Sequence, residues 1–131
     1  MFSASNADYV SQVVDVIDPK HSYIHLGLSR ESCIQIDSHY VKDLRVLGNR
    51  ELANVVIVDN TPVCFYANLD NGIYIPSYFG ASDDVELMKI ARFLLEVEGV
   101  EDVRPYVAQF AGIKRLYAAY SAIHANKPDC G

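Results

Sequence analysis

Four consecutive aliphatic residues, Val55, Val56, Ile57 and Val58, run without alternation into Asp59, Asn60, Thr61 and Pro62. A strand with one wet face alternates apolar and polar positions, so an unbroken run predicts a strand buried on both faces, as in a parallel sheet. Pro62 ends it, because proline has no N–H to give a ladder. In open α/β sheets ligands bind beyond the carboxyl ends of the strands, and that is where the polar pair Asp59 and Asn60 falls. An acid beside an amide can hold a divalent cation and orient a lysine. The same two residues also serve as ordinary turn formers, and the run alone leaves both readings open.

The rest of the chain reads as alternating strands and helices. Ser5-Asn-Ala-Asp8 resembles a variant capping box, and Tyr9, Val13, Val14, Val16 and Ile17 supply an apolar stripe, so a helix is expected from Ala7 to Asp18, stopped by Pro19. Phe2 to Ser5 reads as the last residues of a strand feeding that helix. Further strands are expected over Ser22–Leu28 and Ser32–Ile36, with Tyr40–Leu44 following a polar turn at Asp37–His39. Asn71-Gly72 signals a turn, followed by a short strand, Ile73–Ile75. Ser82 is expected to cap a helix with acids in its first turn and an apolar face of Val85, Met88, Phe93, Leu94 and Val97, ending at Gly99. Another helix starts near Asp102 with Pro105 in its first turn. Gly112 interrupts it, Ile113–His124 continues helically, and residues 126–131 form a frayed tail.

Composition narrows the function classes. The 131 residues make one domain at most, half of them hydrophobic, with a net charge of −6. That balance argues against broad contact with nucleic acid or an anionic membrane, leaving room only for a local basic pocket. No apolar run approaches the ~20 residues that span a bilayer, and the first residues lack the pattern of a secretory signal, so an intracellular setting is the default expectation. Cys33, Cys64 and Cys130 are odd in number and lack C-x-x-C spacing, which suits reduced thiols. His21, His25, His39 and His124 follow no zinc-ligand spacing. Lys42, taken alone, reads as a solvated surface lysine.

At this point several motifs fall into one order. Phe2-Ser-Ala-Ser5, Tyr9, Arg30-Glu-Ser-Cys33, Tyr40-Val-Lys-Asp-Leu44 and Ile57-Val-Asp-Asn-Thr-Pro62 resemble, in order and approximate spacing, the small phosphatases that act on the carboxy-terminal domain of RNA polymerase II, within the haloacid dehalogenase superfamily. The likeness covers residues 1 to about 107. It implies an α/β, Rossmannoid three-layer fold with a mainly parallel sheet, Mg²⁺ as cofactor, and a phosphorylated protein or peptide as partner, the polymerase tail among the candidates. By the same resemblance Ser3 holds a phosphoryl oxygen, a position where the family more often has Thr. Lys42 offsets phosphoryl charge, Asp59 holds Lys42, and Asn60 gives its carbonyl oxygen to Mg²⁺. Tyr9 and Arg30 line the peptide groove, although the stripe on its helix equally makes Tyr9 a core residue. A nuclear location follows by resemblance, a cytoplasmic one otherwise.

One departure stands against these matches. The family's nucleophile and general acid are the aspartates of an Asp-x-Asp-x-Thr motif on the first strand, and these 131 residues contain no such motif. Residues 1–110 are therefore read as the carboxy-terminal portion of a phosphatase-like domain lacking its first strand, with 111–131 a terminal helix and tail. Met1 is then a mis-called start, a fragment edge or a natural truncation. Removing a central strand leaves the Phe2 segment and the Val55–Val58 strand with unpaired edges, which predicts closure, filling by another chain, or self-association. Three functions stay in view: part of a Mg²⁺-dependent phosphoserine/phosphothreonine phosphatase, inactive on its own; a phosphopeptide-binding pseudophosphatase or scaffold; and an interaction module like the mitochondrial import receptors that share the fold.

Overall fold

The aliphatic run becomes a regular strand only over Ile57–Asp59, yet its burial on both faces is as the missing alternation requires. Val55 and Ile57 pack into a cluster with Leu44, Phe65 and Ile113, while Val56 and Val58 pack into a second with Ile73, Ile90, Phe93, Val97 and Val107. The computed structural model describes residues 1–113 and Tyr117. Its elements in chain order are helix α1 (Ala7–Ile17), strands β1 (Ile34–Ile36), β2 (His39–Val41), β3 (Ile57–Asp59) and β4 (Gly72–Tyr74), and helices α2 (Glu86–Glu96) and α3 (Arg104–Ala111). Short 3₁₀ segments fill Arg30–Ser32, Leu44–Val46, Leu52–Asn54 and Pro62–Asn71.

The architecture is α/β with little sheet. β3 and β4 pair in parallel, with Asp59 opposite Tyr74, and β1 and β2 form an antiparallel hairpin. The hairpin closes through Asp37 and Ser38, and Asp37 takes the positive φ that a two-residue turn demands. Ahead of α1, Phe2 makes a parallel bridge to Leu28, so the strand expected over Ser22–Leu28 shrinks to one paired residue. What replaces it is a loop built on a buried acid. Asp18 caps the end of α1, and its carboxylate accepts from the N–H groups of Ser22, Tyr23 and Ile24. Backbone donors used in this way are lost to a ladder, which is why Ser22–Ile24 does not read as strand.

Several boundaries move for identifiable reasons. Asn6, not Ser5, caps α1, since its Oδ1 accepts from the N–H of Tyr9 at 2.9 Å. The buried face of α1 is Val10 and Val14; Tyr9, Val16 and Ile17 stand exposed, so the expected stripe is covered along one edge only. The core reading of Tyr9 is thereby overturned. On α2, Ile90 and Phe93 are buried whereas Val85 and Met88 are not, and the helix starts at Glu86, four residues after the expected Ser82 cap, with Asp84 accepting from the Glu86 N–H. α3 begins at Arg104, and Gly112 ends it in the left-handed conformation that glycine adopts freely. The helix expected over Ile113–His124 and the tail 126–131 lie, apart from Ile113 and Tyr117, outside the described residues.

Asn71-Gly72 is no turn. Asn71 is buried and its Nδ2 donates to the carbonyls of Leu52 and Val55, both at 2.7 Å, while Gly72 opens β4. Gly72 has an ordinary φ of −96°, so its freedom from a side chain is what matters: a Cβ there would lie 2.2 Å from the fully buried Phe65 ring. Close approach of ring to backbone, rather than left-handed geometry, accounts for this glycine.

Among the described residues β3 has no strand on the edge away from β4. A slot of about 270 Å³ lies along it, bounded on one side by Met1, Phe2, Leu26 and Leu28 and on the other by Val55–Val58, with Leu44 and Leu47 between. The two edges have not closed on one another.

Candidate functional site

Lys42 and Asp59 form an ion pair between the end of β2 and the end of β3, with both residues more than nine-tenths buried. Burying two charges is unfavourable unless they are paired and their remaining polar atoms satisfied. The second carboxylate oxygen of Asp59 accepts from the Thr61 N–H at 2.8 Å, and the backbone N–H of Lys42 donates to the Cys64 carbonyl at 2.6 Å. Lys42 is thus no surface lysine. One oxygen of Asp59 faces the Lys42 ammonium and the other the Thr61 N–H.

Ser3 is carried to the same region by the Phe2–Leu28 bridge. Its N–H donates to the Leu28 carbonyl at 2.8 Å, and its Oγ accepts from the Ser5 N–H at 3.1 Å, which leaves the hydroxyl proton available for another acceptor. The Cys33 thiol sits 3.8 Å from the Ser3 carbonyl. Burial pushes this thiol's pKa up, Lys42 and Arg30 pull it down, and Asp59 and Glu31 push it up. Cys64, which accepts the Lys42 N–H through its carbonyl, also has a thiol pKa raised by burial. Cys33 closes the Arg30-Glu-Ser-Cys33 motif and Cys64 lies two residues after Pro62.

Arg30 is anchored to the same loop. Its N–H donates to the Ser5 carbonyl and its Nε to the Ala4 carbonyl, both at 2.8 Å, and the guanidinium lies 5.0 Å from the centre of the Tyr40 ring. A cation held over an aromatic face and a backbone carbonyl is pre-oriented for an anion. Tyr9 is on α1, half exposed beside a shallow groove with Gln12, Val13, Val16 and Ile17. Among the described residues no hydrogen bond or ring contact ties the Tyr9 side chain to Ser3, Lys42 or Asp59. It stands apart from the cluster.

Asn60 follows Asp59 and is exposed at the carboxyl end of β3. Its Nδ2 donates to Ser77 Oγ at 2.9 Å, and Thr61 Oγ1 lies 3.5 Å from its Oδ1. A carboxamide oxygen is a hard donor suited to Mg²⁺. The described residues hold no group of three or more His, Cys, Asp or Glu able to bind a metal.

Comparisons with known proteins show what this chain is similar to. Residues 1–104 match the sequence model of a family described as NLI interacting factor-like phosphatase. The chain is 44% identical over 107 residues to CTD small phosphatase-like protein 2 of Dictyostelium discoideum, an overlap of 82% of this chain and 18% of that protein. It is 37% identical over 109 residues to human carboxy-terminal domain RNA polymerase II polypeptide A small phosphatase 1, covering 83% of this chain and 41% of that one. A mitochondrial import inner membrane translocase subunit of Kluyveromyces lactis is 33% identical over 122 residues, covering 92% and 25%. The chain spans less than half the length of each of these relatives.

Proposed function

Because the chain belongs to the NLI interacting factor-like phosphatase family, we propose that it supplies the phosphoryl-clamping part of a Mg²⁺-dependent protein phosphatase acting on phosphoserine or phosphothreonine. The observation that carries the reading is the buried Lys42–Asp59 pair at the carboxyl end of β3. A buried ammonium fixed by one carboxylate is a point charge of constant position, and phosphoryl transfer is accelerated chiefly by positioned charge. Ser3 donates its hydroxyl proton to a phosphoryl oxygen, Lys42 offsets the charge of the transferring group, and Asp59 keeps the ammonium in place. Arg30 and Tyr9 contact the peptide. Asn60 offers Oδ1 to Mg²⁺, which when bound neutralises charge on the phosphoryl oxygens.

The nucleophile belongs to an Asp-x-Asp-x-Thr strand, absent from these 131 residues. The slot between the Phe2 segment and β3 is the place for it, since both flanks are apolar and β3 has an open edge there. Alone, the chain is inactive. The name of the human relative points to the polymerase tail as substrate and that of the Kluyveromyces relative to mitochondrial import; we propose the former kind of substrate, and with it a nuclear setting, for this chain. The test is reconstitution: Mg²⁺-dependent hydrolysis of an aryl phosphate should appear when a separately expressed segment bearing the first strand is added, and should be at background without it.

A second reading is a non-catalytic phosphopeptide-binding scaffold, supported by the lack of an Asp-x-Asp-x-Thr nucleophile motif in these 131 residues. Phosphopeptide binding with no turnover in the reconstituted pair would select it.

A further inference from the structure

We propose that Tyr40 is a positioning residue for Arg30, its ring fixing the plane of the guanidinium so that the two terminal nitrogens are presented to a bound peptide; this rests on the reading of Arg30 as a peptide contact. An exposed arginine ordinarily spreads over many rotamers, and its planar fork meets an oxygen acceptor well only when that freedom is lost before binding. Two anchors remove it here. The Nε–H donates to the Ala4 carbonyl at 2.8 Å, which fixes one point and leaves the plane free to turn about it. The Tyr40 ring, with its centre 5.0 Å from the guanidinium carbon, supplies the second anchor.

Nearby carboxylates do not compete for the fork. Arg45 and Arg104 each close on an aspartate two residues earlier in the chain, Asp43 and Asp102. Glu31 stands next to Arg30, yet its carboxylate accepts from the Ser29 hydroxyl. Among the described residues no carboxylate pairs with Arg30 and no hydrogen bond uses its Nη atoms. Arg30 is exposed and Tyr40 half-buried, so the ring is the held partner and the fork the presented one. Because the first anchor is the carbonyl of the residue after Ser3, fixing the plane also fixes the fork relative to the Ser3–Ser5 segment.

The experiment measures, by fluorescence anisotropy, the binding of a labelled polymerase-tail phosphoserine peptide and of its unphosphorylated form to the 131-residue chain, which needs no turnover. Tyr40→Leu should weaken phosphopeptide binding about threefold, the loss expected of an exposed cation–π contact, and Tyr40→Phe, which keeps the ring, should bind like wild type. In an Arg30→Ala background Tyr40→Leu should change nothing further, whereas a merely structural ring would weaken binding equally in both backgrounds. Tyr40→Thr, a second ring-less residue suited to a strand, serves the same comparison should the leucine variant fail to fold. If Arg30→Ala binds like the wild type, or the chain does not prefer the phosphorylated peptide, the peptide-contact reading falls and the Tyr40 inference with it. If Arg30→Ala weakens binding while Tyr40→Leu leaves it unchanged, or acts equally in both backgrounds, the positioning role alone is overturned.

Discussion

Lys42, the residue after β2, and Asp59, the last of β3, form an ion pair that joins the hairpin to the parallel ladder. Removing the cation leaves a buried carboxylate with only the Thr61 N–H as partner. In the reconstituted phosphatase, Lys42→Ala should therefore lower the rate by about a hundredfold or more, the usual loss for one electrostatic clamp on a reacting group. Rates of the variant and wild-type pairs measured at equal circular dichroism separate this from unfolding. An unaffected rate removes Lys42 from the site.

Metal affinity should be weak without the first strand. Asn60 gives one neutral oxygen, and Mg²⁺ sheds its waters reluctantly. Calorimetry on the chain alone should show no tight saturable binding, and added first-strand segment should produce it; tight binding by the chain alone contradicts the shared-site assignment.

Asp18 predicts an acid limit on folding. Its three backbone donors hold the carboxyl below the ordinary carboxylate range, with the hydrogen bonds from Ile24 and Tyr23 the largest causes. A folded pKa below the unfolded one means that the stabilisation is fully present above the unfolded value of about 3.9 and is lost as pH falls through the folded one. Asp18→Asn should lower Tm at neutral pH, and the gap from wild type should narrow below about pH 4 as the wild-type carboxyl takes up its proton. Melting curves from neutral to acid pH check it; a gap that is independent of pH refutes the role of the charge.

Gly72→Ala should destabilise the fold by about 1–3 kcal/mol, the range for forcing extra volume into a packed core. The Phe65 ring occupies the space a methyl group would need. Paired with Phe65→Leu, the same alanine should cost less, because the smaller side chain gives way; denaturant midpoints of the two singles and the double decide.

The open edge of β3 and the apolar slot beside it should make the chain self-associate. Sedimentation should show a concentration-dependent rise above monomer mass that first-strand segment suppresses. A monomer at all concentrations would mean that the edge is protected.

Where the sequence was informative, the signal was local and redundant. Val55–Val58 lacked alternation because each face of that segment has its own core, and Asp59 and Asn60 follow it as the strand's polarity requires. Lys42 read alone as a surface lysine, and its burial against Asp59 is a long-range pairing that spacing alone did not signal. What escaped was decided by partners far along the chain. Asn71-Gly72 carries the local signature of a turn, yet Asn71 answers to Leu52 and Val55 and Gly72 to Phe65. Ser22–Leu28 has a strand's residues, and Asp18 draws off the donors a strand would use. Tyr9, Val16 and Ile17 look like a core stripe because a stripe records which residues prefer burial, not whether a neighbour is present to bury them.

The double burial of β3 also sets how the molecule comes apart. Its two faces feed different cores, and Ala111 at the end of α3 touches both, so neither core can loosen without disturbing the strand on which the other is built. The amides of β3 and β4 should then exchange with solvent only through the global opening event, together and at one rate, while those of α1, joined to the rest mainly through the Phe2–Leu28 bridge and its neighbours, exchange earlier by local fraying. A three-residue strand is in this sense the molecule's cooperative seam, and the clamp at its carboxyl end keeps its geometry for as long as the chain is folded.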